Sequence, residues 1–168
     1  MPSKNFRTLG VFFTLFFLLT ATVFGATVKR VLDGDTFILA NGQRVRMIGI
    51  NAPEIDHPKY HKKGNPFGEE SKKYLQKRIQ GQDVKLKKGS EEFDRFGRRL
   101  AYVYLPDGTF VNREMVLLGY AETFRKFSFT YKEEFLKLEE DARTKKIGMW
   151  AGQPQGWLQS LKKRFSRS

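Results

Sequence analysis

Apolar and polar residues alternate in short runs through the first third of the chain. Thr27 to Leu32 is one such run; Asp33-Gly34-Asp35 interrupts it and Thr36 to Ala40 resumes it. Asn41-Gly42 is a two-residue hairpin signal, and Gln43 to Ile50 follows as a third strand. Within it Arg44, Val45, Arg46 and Met47 alternate basic with apolar, the period of a strand buried on one side. Pro53 cannot donate to a sheet ladder, so the strand ends near Asn51. Arg46 on the strand and Glu54 just beyond its end can therefore face one cleft. A guanidinium binds a phosphate through a planar fork of donors, and a glutamate can take a proton from water.

The pattern then changes. Glu54 to Phe67 is polar and loop-like, with His57, Pro58, Lys59, His61, Lys62, Lys63, Gly64 and Pro66. The spacing predicts a helix from about Gly68 to Gln80, with Glu69 and Glu70 at the positive end of its dipole, Leu75 and Ile79 on one face, and Gly81 as its stop. Asp83 to Lys88 reads as a fourth strand. A second polar loop holds Asp94-Arg95-Phe96-Gly97-Arg98, and Leu100 to Leu105 is the fifth strand. Asp107-Gly108 turns the chain into Thr109 to Val111. Asn112 reads as the cap of a short helix, with Val111 and Val116 as a hydrophobic staple and Gly119 as its end. Thr130-Tyr131-Lys132-Glu133 matches a capping box, and Tyr131, Phe135, Leu138 and Ala142 keep helical spacing to about Lys146. Trp150 is placed to close the core.

Five short strands with three interposed helices predict a mainly β fold, a five-stranded Greek-key barrel of the OB type. Such barrels bind nucleic acid on one face. Residues 26–152 form the one domain expected. Residues 1–25 read as a secretory signal: Lys4 and Arg7 precede an uncharged Leu9–Phe24 run, and Val23 and Gly25 stand where a signal peptidase cuts. That places the chain outside the cell or in the periplasm. If the leader is retained, residues 9–24 instead anchor it to a membrane, facing outward. Residues 153–168 form a basic amphipathic tail, read as packing on the barrel, contacting nucleic acid or lying on a membrane surface. The 168 residues carry a net charge of +13 and no cysteine. Disulfides are excluded, and a polyanionic partner is favoured.

Several ordered motifs resemble the staphylococcal nuclease (thermonuclease, micrococcal nuclease) family. They are Asp33-Gly34-Asp35-Thr36, Arg46 through Glu54, Asp94 through Arg98 with Leu100-Ala101-Tyr102, Val111-Asn112, and Gly148-Met149-Trp150. The resemblance spans about Val28 to Trp150. It implies a calcium-dependent monomeric endonuclease acting on DNA and RNA, with water attacking phosphorus, the 5′ oxygen leaving and 3′-phosphates remaining. By position it implies Arg46, Glu54 and Arg98 as catalytic residues. Asp35, Asn51 and the Ala52 carbonyl are the implied Ca2+ ligands. Arg95, Phe96, Lys62, Lys63 and Phe127 are implied on the substrate side. The pattern departs from the type member at Asn51, where an aspartate would stand. One negative charge is missing, so weaker calcium binding is expected, with a gain on Asn51→Asp. Phe96, Arg125 and Phe127 stand where tyrosines would be, which keeps stacking at the phenylalanines but loses phenolic hydrogen bonds.

Plainer readings stand beside these. Asp33 and Asp35 suit a turn, Arg46 suits a solvated strand face, and Asp94 either holds its loop or orients Arg95. His57 and His61 have zinc-like spacing, but Pro58 between them argues for a substrate-side loop carrying Lys59, Lys62 and Lys63. A noncatalytic OB-fold nucleic-acid binder with a weakened metal site is the rival for the whole chain. A general base supplies only about 10²–10⁴ in rate, so Glu54 alone cannot carry hydrolysis; positioning and charge stabilisation must supply the rest.

Overall fold

The computed structural model describes residues 25–56 and 64–151. The leader reading, the residues His57 to Lys63 with Lys59, His61, Lys62 and Lys63, and the basic tail at 153–168 lie outside the described residues. No helix of the described residues is long and apolar enough to cross a membrane.

Five strands close into a barrel: β1 (Ala26–Val31), β2 (Thr36–Leu39), β3 (Arg44–Met47), β5 (Asp83–Lys87) and β6 (Arg99–Tyr104), in the order β1-β2-β3-β6-β5. All neighbours are antiparallel except β3 and β6, which run parallel. This is the mainly β, OB-like barrel expected, with helices α1 (Gly68–Ile79), α2 (Val111–Leu117) and α3 (Lys132–Thr144) against it. The period-2 pattern sorts β3 as predicted. Val45 and Met47 enter the core, while Arg44 is exposed and Arg46 half-buried. Phe37, Leu75, Ile79, Val103, Met115 and Phe135 fill the interior, and Trp150 is buried under the Arg143 guanidinium.

Three local expectations are corrected. The third strand does not run from Gln43 to Ile50. It breaks at Ile48-Gly49, where Gly49 has φ +81°, and a two-residue strand β4 (Ile50–Asn51) leaves the barrel to pair with β7 (Glu122–Thr123). Past the Asp107-Gly108 turn, Phe110 bridges Tyr104 and α2 starts at Val111. Asn112 does not cap α2, whose N-cap is Phe110, so the predicted staple loses its frame. The Asn112 amide turns inward instead. Its Oδ1 accepts from Val103 N at 2.8 Å and its Nδ2 donates to Ile48 O at 2.8 Å, tying the end of β3 to β6. Thr130 forms no capping box either: the N-cap of α3 is Tyr131, and no side chain caps it.

A buried carboxylate secures the region that β4 enters. Glu139 on α3 is 1 % exposed and accepts from Thr123 N at 2.9 Å and from Arg125 Nη2 at 2.8 Å, and it pairs with Arg143. Arg125 also donates to Thr123 O at 2.9 Å, so both backbone groups of Thr123 are held. Burial pushes the Glu139 carboxyl upward, but Arg125, the Thr123 N–H and Arg143 outweigh it and hold it below the usual range. A lowered carboxylate pKa adds stability that is full above the unfolded pKa and lost as pH falls through the folded one. Glu139→Gln is therefore expected to lower stability by roughly 3 kcal/mol and to flatten its acid dependence below pH 4.5. Thermal melts of both proteins between pH 3 and 7, in steps of about one unit, check this.

Candidate active site

Asp35, in the turn between β1 and β2, is 6 % exposed. Its Oδ1 accepts from the Thr36 hydroxyl at 2.9 Å, and its Oδ2 accepts from Ala52 N at 3.0 Å. Arg46 on β3 forms an ion pair with the same carboxylate and donates through Nη2 to Ile50 O at 3.2 Å. The pair thus ties the β1–β2 turn, β3 and the segment after β4 together. Asp33 plays the turn role, its Oδ1 accepting from Asp35 N at 3.0 Å. It is also close enough to the arginines to feel them. Burial raises its pKa, against the opposing pull of Arg46, the hydrogen bonds of Thr36, and Arg98.

Arg98 reaches the site from the loop before β6. The loop closes on Asp94, whose Oδ1 accepts from the backbone N–H groups of Phe96 and Arg98 at 2.9 and 3.0 Å, while its Oδ2 takes Arg98 Nε at 2.7 Å. Asp94 therefore orients Arg98, not Arg95. The turn through Gly97 returns the chain so that residue i+4 lies beside the carboxylate, and Arg95 is left exposed. Burial raises the Asp94 carboxyl, but these contacts from Arg98 and Phe96 outweigh it and hold it low. Phe96 is 65 % exposed, with Arg95 and Arg98 over its ring at 4.7 and 5.5 Å. Phe127 is 70 % exposed on another loop, beside Phe124. Arg125 is committed to Glu139 and Thr123.

Burial first and Arg98 second push the Arg46 guanidinium down to about 10, against the attraction of Asp33, Glu54 and Asp94. Residues scattered from 33 to 98 thus act on one guanidinium. Glu54 is exposed beyond β4, and its backbone is held firmly: its carbonyl accepts from Asn65 N at 2.8 Å. A Cβ on Gly68, where α1 begins, would collide with that carbonyl oxygen, so only glycine lets the helix approach Glu54 this closely.

Asn51 donates through Nδ2 to Glu122 Oε1 at 3.0 Å, across the β4–β7 pair. The sequence reading missed Glu122, because β7 is two residues long and carries no periodic signal. The Ala52 N–H on Asp35 brings the Asn51–Ala52 segment beside that carboxylate, and carboxylate and amide oxygens are the donor types that suit a hard cation. Among the described residues no three acidic, imidazole or thiol groups cluster as a metal site. A cation there would rest on one carboxylate and two amide-type oxygens.

A family model described as "Staphylococcal nuclease homologue" matches residues 44–152. A thermonuclease of Staphylococcus hyicus is 33 % identical over 128 residues, 74 % of each chain. An uncharacterized endonuclease of Haemophilus influenzae is 33 % identical over 140 residues, 80 % of this chain and 73 % of its own. Endonuclease Htp3 of Saprolegnia parasitica is 30 % identical over 174 residues, 89 % of this chain and 80 % of its own.

The two arginines can be tested for convergence directly. Carbon-13 NMR of the Arg46 guanidinium is expected to titrate near pH 10, well below the ordinary arginine range. Arg98→Ala should raise that midpoint, since it removes a neighbouring positive charge. An unmoved midpoint would mean that the two heads do not share a site.

Proposed function

The chain belongs to the staphylococcal nuclease family and is a nuclease acting on nucleic acid, and from that premise we propose a calcium-dependent endonuclease that cuts DNA and RNA to leave 3′-phosphates. One observation carries the reading: Arg46, paired with Asp35, lies within the electrostatic reach of both Arg98 and Glu54. Two cations and one base then surround the place where a scissile phosphate would sit.

Arg46 and Arg98 hold the phosphate oxygens and meet the charge that grows on them in the transition state. Arg46 is half-buried, so water competes poorly for its donors and the interaction is stronger than at the surface. Asp94 keeps the Arg98 fork in place before substrate arrives, which lowers the entropy cost of binding. Glu54 takes a proton from the attacking water as it approaches phosphorus. Phe96 offers an exposed ring on which a base can stack. Asp35, Asn51 Oδ1 and the Ala52 carbonyl would hold calcium, which when bound supplies charge neutralisation at the phosphate and orientation of water. The leader at residues 1–25 suits export, so that the enzyme meets its substrate outside the cell or in the periplasm.

Purified protein with single-stranded DNA should cut in calcium and stop cutting in chelator. Glu54→Gln should lower the rate by about 10²–10⁴-fold; an unchanged rate rejects Glu54 as the base. Gly68→Ala should leave a folded protein by circular dichroism yet cut about 10²-fold more slowly, because its methyl displaces the Glu54 backbone.

A further inference from the structure

In β1 two valines three residues apart, Val28 and Val31, are both buried, at 1 % and 3 % exposure. Strict alternation cannot put such a pair on one side of a sheet. Val28 stands opposite Leu39 and Arg30 opposite Ile38, so Lys29 is one residue too many on β1. A bulge of this kind re-aims side chains. Here it leaves Lys29 and Arg30 both exposed, with a core valine on either side. Ile38 in turn stands opposite Arg44, which is exposed as well. Arg30, Ile38 and Arg44 thus form one row across the outside of β1, β2 and β3. The row adjoins the candidate site. Arg46 lies two residues along β3 from Arg44 and on the same side, since Val45 and Met47 are buried on the other. Arg98 directly precedes Arg99, the partner of Val45 in the parallel β3–β6 pairing, as Arg44 directly precedes Val45. Arg98 therefore arrives beside Arg44, where Gln43 Nε2 donates to Gly97 O at 3.4 Å. Among the described residues no carboxylate pairs with Lys29, Arg30 or Arg44.

We propose that this row is a track for the phosphate backbone of the substrate strand, which leaves Arg46 and Arg98 and crosses the outer face of the sheet over Arg44, then Arg30 and Lys29. The proposal rests on the nuclease reading of the site and needs neither a metal nor Glu54. A polyanion held at one phosphate must place the next ones nearby, and each that meets a cation releases condensed counterions. Neighbouring strands lie about 4.8 Å apart, and residues two apart on one strand about 6.6 Å. The backbones of Arg30 and Arg46 are then roughly 12 Å apart across the sheet, the length of about three or four stacked nucleotides. Guanidinium forks suit phosphate oxygens, which carry no base sequence. Ile38, half-buried between two arginines, gives the row an apolar floor in place of a competing carboxylate. An anionic membrane surface would also match the charge. Continuity with Arg46 and Arg98 selects instead the strand whose phosphate they hold.

Equilibrium binding of a fluorescent single-stranded DNA of about 12 nucleotides checks this. The strand is phosphorothioate-linked and kept in chelator so that it is not cut, and the salt concentration is varied. Three proteins are compared: the native chain, a track variant carrying Lys29→Gln, Arg30→Gln and Arg44→Gln, and a control carrying Lys73→Gln, Lys77→Gln and Lys137→Gln. The control loses the same charge at exposed positions of α1 and α3. The track variant is expected to flatten the slope of log affinity against log salt by roughly 2, since each cation lost on a single strand removes about 0.7. The control should keep the native slope. A control that flattens as much as the track variant would reduce the effect to net charge and overturn the proposal, and so would a native slope in the track variant. Vesicles of phosphatidylserine that bind the native chain but not the track variant, with DNA affinity equal in both, would assign the face to a membrane and overturn it too. A native chain with no affinity for the DNA at low salt would overturn the nucleic-acid reading itself, a distinguishable result. If the triple variant does not fold by circular dichroism, Arg30→Gln and Arg44→Gln are measured singly. Each should flatten the slope by about 0.7, and native slopes in both refute the track.

Discussion

The buried contact between Asp35 and Arg46 is the constraint on which the site depends. It joins three pieces of chain that have no local reason to meet: the β1–β2 turn, the outward side of β3, and the Asn51–Glu54 segment through Ala52 N. A buried ion pair is not an efficient way to stabilise a fold, since desolvation offsets most of the attraction. What it supplies is placement. With Asp35 satisfied by Thr36, Ala52 and Arg46, the carboxylate has little freedom to wander. Arg46 in turn is under-solvated, and its pKa is pushed down to about 10. A guanidinium in that state has been denied part of its water, so its pair with Asp35 is stronger than one at the surface.

The scaffold behind this contact follows the same logic at a distance. Asn112 and Glu139 are buried polar groups that spend their hydrogen bonds on backbone: Asn112 on Ile48 and Val103, Glu139 on Thr123. Each fixes a stretch where the regular ladder stops. Asn112 holds the end of β3 just before the chain breaks at Gly49, and Glu139 holds β7, against which the departed β4 pairs. The break is what takes Asn51 off the barrel and onto β7. A continuous strand to Ile50 would have left the Asn51–Glu54 segment without that second anchor.

Much of the barrel was legible because half-buried strands write their period into the sequence: Val45 and Met47 inside, Arg44 and Arg46 outside. Arg46 and Glu54 were read toward one cleft from the strand's alternation and its end at Pro53, whereas Asp35 and Arg98 entered only through the ordered motifs that carry the family resemblance. The misreadings share one cause, a local signal overruled by a distant partner or leaving no local mark. Ile48 and Ile50 are both apolar, so the break between them leaves no trace in hydropathy. Asn112 and Thr130 are residue types that cap helices in isolation, but for Asn112 the barrel offered better partners than a helix end, and α3 starts one residue later than a Thr130 cap would require. Of the two readings of Asp94, the loop-holding one stands; adjacency suggested Arg95 for the other, whereas the turn through Gly97 delivers Arg98. Glu122 left no trace at all, since its only signature is a two-residue register with a strand 71 positions away.

Both arginines at the site are held by an aspartate, and the manner of holding differs in a way that bears on their work. Arg98 meets Asp94 through Nε, the inner edge of the guanidinium, so its terminal donors project forward from an anchored base. A planar fork with five donors can spend one on orientation and still present a bidentate face to phosphate. Arg46 spends terminal nitrogens, Nη1 toward Asp35 and Nη2 on Ile50 O. It can serve a phosphate well only if that arrangement loosens or is shared. A cation bound at Asp35 would compete for the same carboxylate and release Arg46 toward the substrate.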